Sequence, residues 1–179
     1  MKESEFTKGV NPLIGKKDEL WEAESSDGAE KEVGEFIYGL IRLIKPKVVV
    51  ETGCYKGDTT LAIERALQDN KYGELYSCDI VKEFVEHTQK RVNSKVLLKT
   101  GIELIKELGD KIEFAFIDSG YLCREEEINE LIKHLSKNQM FALHDTAPQH
   151  RAMKEMSEKF DLRKVYFNTP RGLTLYEIS

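Results

Sequence analysis

Cysteine is scarce. Three residues in 179, Cys54, Cys78 and Cys123, stand far apart and give neither a CxxC pair nor a disulfide framework, a usage that suits a reducing cytoplasm. Long hydrophobic runs are also missing. No stretch approaches the roughly 18 apolar residues of a membrane helix, and residues 1–20 lack the apolar centre of a signal peptide. Neither secretion nor a membrane partner is expected. An excess of positive charge is lacking too: 27 Lys and Arg against 32 Asp and Glu leave a net charge of −5. Nothing in that balance would hold a phosphate backbone through counterion release, so nucleic acid is not an expected partner. No repeat, linker or low-complexity tract interrupts the chain. What is present, 40% apolar and 33% charged residues over a length typical of one domain, describes a globular protein with a single core.

Val33, Phe36, Ile37, Leu40, Ile41 and Ile44 recur in steps of three and four, which puts them on one face of a helix from about Ala29 to Ile44. Pro46 stops that helix. Val48 to Val50 is a β-branched run too short for a helix and too continuous for a half-exposed strand, so it reads as a buried parallel strand. Gly53 and Gly57 then make a turn into a helix carrying Leu61, Ala62, Ala66 and Leu67. The alternation continues. Leu75 to Cys78, Val96 to Leu98, Phe114 to Ile117 and Met140 to Leu143 are further strands. Val81, Phe84, Val85, Thr88 and Val92 mark one intervening helix, and Ile128, Leu131, Ile132 and Leu135 another. Val165 to Phe167 and Leu173 to Ile178, joined by five residues of turn chemistry, read as an antiparallel hairpin. The expected fold is α/β: a doubly wound, mostly parallel seven-stranded sheet of Rossmann-like type with an antiparallel C-terminal hairpin.

Such sheets bind ligands beyond the carboxyl ends of their strands, where the strand order reverses. The residues at those ends are polar and largely acidic: Glu51-Thr52-Gly53, Asp79, Gly101, Asp118-Ser119-Gly120 and His144-Asp145. Glu51 to Gly57 spells ExGxxxG at a strand-to-helix turn, where missing side chains let a ligand approach the backbone and the helix start offers free N–H groups to an anion. A glycine turn that merely packs strand on helix would look the same. Asp79 closes the second strand 22 residues after Gly57, the place where nucleotide-binding α/β folds keep an acid for ribose hydroxyls. A capping aspartate is its structural alternative.

VVVETGCYKGDTTLAIERAL followed by LYSCDI, FAFIDSGY and FALHDT resembles the class I S-adenosylmethionine-dependent methyltransferases. FIDS with ALHDT is similar, more narrowly, to the small-molecule O-methyltransferase group that includes macrocin O-methyltransferases and cephalosporin hydroxylase-like proteins. The resemblance implies that residues 29–179 form the methyltransferase domain and that residues 1–28 are an N-terminal segment able to cover the substrate. It implies S-adenosyl-L-methionine as cofactor. Gly53 and the loop through Cys54 and Tyr55 to Gly57 would cradle its methionine part, Asp79 would bind its ribose, and Gly101 and Ile102 would border its adenine, with Asp118 near the sulfonium; Glu51, Thr52, Asp58, Thr59, Ile80 and Ser119 are the further cofactor-binding residues implied.

Methyl transfer from a sulfonium is an in-line displacement that needs positioning, exclusion of water and loss of the acceptor's proton. Asp118, His144 and Asp145 end adjacent predicted strands and are the expected catalytic group. Relatives with an acid pair at the place of His144-Asp145 bind a divalent cation there together with the preceding aspartate. Two readings therefore stand: His144 as general base, with an ordinary pKa of about 6.5, or Asp118 and Asp145 as ligands of Mg²⁺. The base is favoured, because Ser119-Gly120-Tyr121 replaces the second acid or histidine often found after the aspartate. His150 is read as an exposed loop residue, Trp21 as an anchor for the N-terminal segment, and Cys54 as a packing residue rather than a nucleophile. Arg124 to Glu127 is assigned to the solvated side of the helix that follows.

The expected function is methylation of a hydroxyl on a small-molecule substrate. A Rossmann-type NAD-dependent oxidoreductase is the second reading, weakened by the absence of GxGxxG. A methyltransferase-like binding subunit without turnover is the third. Little chain remains to cover the acceptor, so either its site is open or a second copy closes it, which keeps a homo-oligomer among the expected partners.

Overall fold

The computed structural model describes residues 21–23 and 28–179. Most of the expected N-terminal cover therefore lies outside the described residues, and Trp21, half-buried, makes a single β-bridge. Helix α1 (Lys31–Ile44) turns Val33, Ile37 and Ile41 inward. Lys45, at a left-handed φ of 49°, closes it before Pro46. The chain then alternates β1 (Val48–Thr52), α2 (Asp58–Asn70), β2 (Glu74–Asp79), α3 (Lys82–Gln89), β3 (Lys95–Leu98), α4 (Gly101–Leu108), β4 (Phe114–Ile117), α5 (Tyr121–Leu131), β5 (Met140–His144), α6 (Arg151–Glu158), β6 (Arg163–Phe167) and β7 (Leu173–Glu177).

Among the described residues the strands form one seven-stranded sheet in the order β3-β2-β1-β4-β5-β7-β6. Only β7 runs against its neighbours β5 and β6, as the terminal hairpin predicts. The continuous apolar runs of β1, β4 and β5 follow from burial on both faces. Val48, Val50, Ala115, Ile117, Phe141 and Leu143 join one core with Leu104 and Ile105 of α4 and Ile128 and Leu131 of α5. The alternate residues Val49, Phe114, Phe116 and Ala142 join the other, against α1 and α2. Edge strand β6 keeps Arg163 and Lys164 in solvent, charges that discourage pairing with another chain.

Three boundaries differ from the sequence reading, and each matters for the site. Strand β1 continues through Glu51 and Thr52, both buried. Strand β5 includes His144, and α5 begins at Tyr121 and ends at Leu131. Arg124 and Glu127 consequently face inward, 3% and 1% exposed, and are not solvated. They stand one helical turn before Ile128 and Leu131 and share that buried face.

Candidate active site

Strand order reverses between β1 and β4, whose neighbours β2 and β5 complete the crevice. The β1–α2 turn is built by crowding. Gly53, at φ 80°, brings its backbone so close to the β4 exit that a Cβ would lie 2.4 Å from the Asp118 carbonyl oxygen. Gly57, at φ 86°, is similarly blocked by Thr88, and Tyr55 is held at φ 44°. A side chain at either glycine would be strained in angle and would collide with its neighbours. The Gly53 and Cys54 N–H groups donate to the Cys78 carbonyl at 2.8 and 3.0 Å, and Tyr55 N–H donates to Asp79 Oδ2 at 3.0 Å. Asp79 Oδ1 accepts from Val81 N–H at 2.9 Å. The aspartate at the end of β2 thus braces the bend into α3, whose N-cap is Val81 without a side-chain cap, and ties it to the glycine turn. A carboxylate has about four lone-pair sites, so two remain for a ligand. Ile80 beside it is 69% exposed, an apolar surface left open at the crevice.

The other expected cofactor residues divide into lining and support. Glu51 is fully buried and its Oε2 accepts from Thr60 Oγ1 and Ser77 Oγ. It binds β1 to α2 and β2 from beneath the turn. Burial pushes its carboxyl up to about 7, against the effect of those hydroxyls. Thr52 Oγ1 and Ser119 Oγ both donate to Glu127 Oε2, at 2.9 and 2.7 Å, and Glu127 fills the space where Gly101 has no Cβ. Burial raises the Glu127 pKa. Cys54 packs as expected, its thiol pushed up to about 12 by burial. Asp58 and Thr59 open α2, with Asp58 paired to Arg91 at 2.8 Å, while Gly101 and Ile102 open α4 behind a Thr100–Glu103 capping box. A cavity of about 230 Å³ lies beside Asp58 and Thr59, bounded by Glu30, Tyr38, Arg65 and Arg91. It touches neither Gly53, Asp79 nor Asp118 and lies on the α1 side of the turn, sharing Glu30 with the cluster at the strand ends.

At the ends of β4 and β5, Asp118, His144 and Asp145 come together, with ligand atoms within 4.8 Å of one another. His144 is 1% exposed. Its Nδ1 faces Asp118 Oδ1 at 3.1 Å and its Nε2 faces Glu30 Oε2 at 2.9 Å. Burial alone favours the neutral ring, but Asp118, Asp145 and Glu30 outweigh it and push the pKa up to about 10. Both ring nitrogens face carboxylates and the cationic form is favoured, whereas the sequence suggested a ring poised near neutrality. Asp145 adopts φ 62°, a left-handed conformation that surrounding contacts must hold. Those contacts are Arg124 Nη2 to Oδ2 at 3.0 Å and Arg171 Nε to Oδ1 at 2.7 Å. Burial opposes ionisation, but His144, Arg124 and Arg171 keep the Asp145 pKa far below the carboxylate range.

Glu30, Arg124, Glu127 and Arg171 are the site residues that sequence reasoning missed. Arg124 also donates through Nη1 to the His144 carbonyl at 2.7 Å, through Nη2 to Asp118 Oδ1 at 3.0 Å, and through Nε to the Ser119 carbonyl. Glu30 Oε1 accepts from the Arg171 backbone N–H at 2.7 Å, and the His144 ring together with that N–H holds the Glu30 pKa at about 2 despite burial. His150 is 8% exposed rather than on the surface, with Nε2 buried and 3.9 Å from Asp145 Oδ1.

A doubly wound sheet with a glycine turn tied to an acid at the next strand, and a charged crevice two strands away, is the architecture of a nucleotide-cofactor methyltransferase domain. Residues 50–146, more than half of the chain, match the family model described as a methyltransferase domain, and the chain belongs to that family. No curated protein matches it. Among solved structures it is similar to the methyltransferase PaMTH1 of Podospora anserina bound to SAH, with a TM-score of 0.74 and 15% identity over 86% of this chain and 80% of that one. It is similar to the O-methyltransferase TomG of Streptomyces achromogenes in complex with SAM, with a TM-score of 0.70 and 13% identity over 86% and 82%. An O-methyltransferase of Bacillus cereus in complex with SAH gives 0.69 and 12% over 86% and 83%. At these identities the likeness establishes a shared fold. No helix among the described residues is long and apolar enough to cross a membrane.

Proposed function

We propose that the protein is an S-adenosylmethionine-dependent methyltransferase acting on a hydroxyl of a small molecule. The observation that carries this reading is the Tyr55 N–H to Asp79 contact across the Gly53–Gly57 turn, which sets a ribose-competent carboxylate against a backbone cradle. Exposed Ile80 supplies an apolar face for a purine, and the uncapped start of α2 supplies N–H groups for a carboxylate. These donors and surfaces fit the cofactor. The SAM and SAH complexes of the structural neighbours, and the O-methyltransferases among them, support both the cofactor and the acceptor class.

S-adenosylmethionine, when bound, supplies an electrophilic methyl group on a sulfonium. The chain's part is to position and to exclude water. Asp118 Oδ1 is taken by Arg124 and His144, while Oδ2 has no partner among the described residues. This oxygen would accept the hydrogen bond of the acceptor hydroxyl and receive its proton as the C–O bond forms. His144 and Arg124 hold the carboxylate in place, so we assign His144 a positioning role. The GxGxxG fingerprint required by the oxidoreductase reading is absent, and the family match further disfavours it.

Calorimetric titration with S-adenosylhomocysteine, with NAD⁺ in parallel, tests the proposal. Binding of the first and not the second is expected. No heat from S-adenosylhomocysteine at millimolar concentration overturns it.

A further inference from the structure

We infer that the Arg124 guanidinium occupies the position that a divalent cation would take between Asp118 and Asp145, and that methyl transfer by this protein is metal-independent. The inference concerns the acceptor half of the site proposed above and rests on that reading for its chemistry. The geometry itself stands apart from it. Asp118, His144 and Asp145 are the one triad of potential ligands found among the described residues, yet nearly all their ligand atoms are committed. Asp118 Oδ1 accepts from Arg124 and His144, Asp145 Oδ2 from Arg124, and Asp145 Oδ1 from Arg171. Both ring nitrogens of His144 already face carboxylate oxygens, Nδ1 that of Asp118 at 3.1 Å and Nε2 that of Glu30 at 2.9 Å. Of the triad's carboxylate oxygens, only Asp118 Oδ2 has no hydrogen-bond partner among the described residues.

Burial leads to the same conclusion. Arg124 bridges Asp118 and Asp145 at 3.0 Å each inside this cluster. A divalent ion entering it would have to expel a guanidinium whose side chain is 4% exposed. Arg124 would then be left unpaired in a low-dielectric interior, an arrangement that is strongly disfavoured. Its three nitrogens are also spent on the Ser119 and His144 carbonyls and both aspartates, a fork that bridges two carboxylates as a metal would.

The test is titration of chelator-treated protein with Mn²⁺, followed by the electron paramagnetic resonance signal of free ion and by thermal shift, without cofactor or turnover. The wild type is expected to bind no Mn²⁺ at this site. Arg124→Gln keeps a neutral donor of similar reach and should gain Mn²⁺ affinity by roughly tenfold or more, with Mn²⁺ raising its melting temperature. Arg124→Gln combined with Asp145→Asn should lose that gain. Wild-type binding of Mn²⁺ that Asp145→Asn removes overturns the inference, as does an Arg124→Gln protein that folds and takes up no ion. Should Arg124→Gln not fold, the wild-type titration alone decides. Because no adenosine compound is present, failure here is distinguishable from failure of cofactor binding.

Discussion

Glu51 should impose a pH dependence on stability that a single substitution removes. The carboxyl is 1% exposed and lies under the glycine turn, where burial lifts its pKa from an ordinary 4.5 to about 7. Between those values the folded protein holds a proton that the unfolded chain has lost, so the unfolded state binds fewer protons and stability falls as pH rises. At about 1.36 kcal/mol per tenfold, the full effect is about 3 kcal/mol, complete once the pH exceeds the folded value. Glu51→Gln retains an acceptor for the Thr60 and Ser77 hydroxyls and cannot ionise. Its stability relative to wild type should therefore improve by about 2.5 kcal/mol between pH 5 and pH 8, whatever the substitution costs at pH 5. In a chain of this size that corresponds to about 5 to 10 °C in melting temperature. Urea unfolding of both proteins across that pH range measures it. Stability curves that run parallel at every pH would refute the reasoning, because they would show Glu51 ionising as it does in the unfolded chain.

Gly53→Ala places a Cβ 2.4 Å from the Asp118 carbonyl oxygen at a left-handed φ, and should lose about 3 kcal/mol or more in chemical denaturation. Gly39→Ala on the exposed face of α1, where a Cβ meets nothing within 4 Å, should instead gain up to about 1 kcal/mol. Equal effects at the two glycines would contradict the account of the turn. Cys123 is exposed while Cys54 and Cys78 are buried with raised pKa values. An aromatic disulfide reagent should label Cys123 rapidly in the native protein and the other two only on unfolding. Rapid labelling of Cys54 would reopen its reading as a reactive thiol.

Much of the fold was legible because burial on both faces leaves an unambiguous trace. The valines of β1 and the FAFI run of β4 are apolar at every position, and the six apolar residues of α1 repeat at helical spacing. Helix α4 escaped notice although Thr100 and Glu103 form the pair that marks a capped start. Arg124 and Glu127 were misplaced by their charge, against a spacing signal that aligned them with Ile128 and Leu131. The physical reason is local. The first turn of α5 overhangs the crevice beyond the strand ends, so the stripe that is apolar lower down becomes polar where it lines the site. Glu30 was beyond reach for another reason: its contact with His144 spans 114 residues, and no periodicity encodes a pairing between an N-terminal helix start and a strand end. The same contact explains why His144 was read as a base. Its residue type suggests a ring poised near neutrality, and only the three-dimensional company of Glu30, Asp118 and Asp145 raises its pKa.

Asp79 offers the most direct test of the cofactor site. Asp79→Ala removes the carboxylate proposed to hold ribose, and its affinity for S-adenosylhomocysteine in calorimetry should fall roughly tenfold or more, in a protein whose far-ultraviolet circular dichroism stays that of the wild type. Unchanged affinity in that folded variant would contradict the placement of the cofactor against the glycine turn.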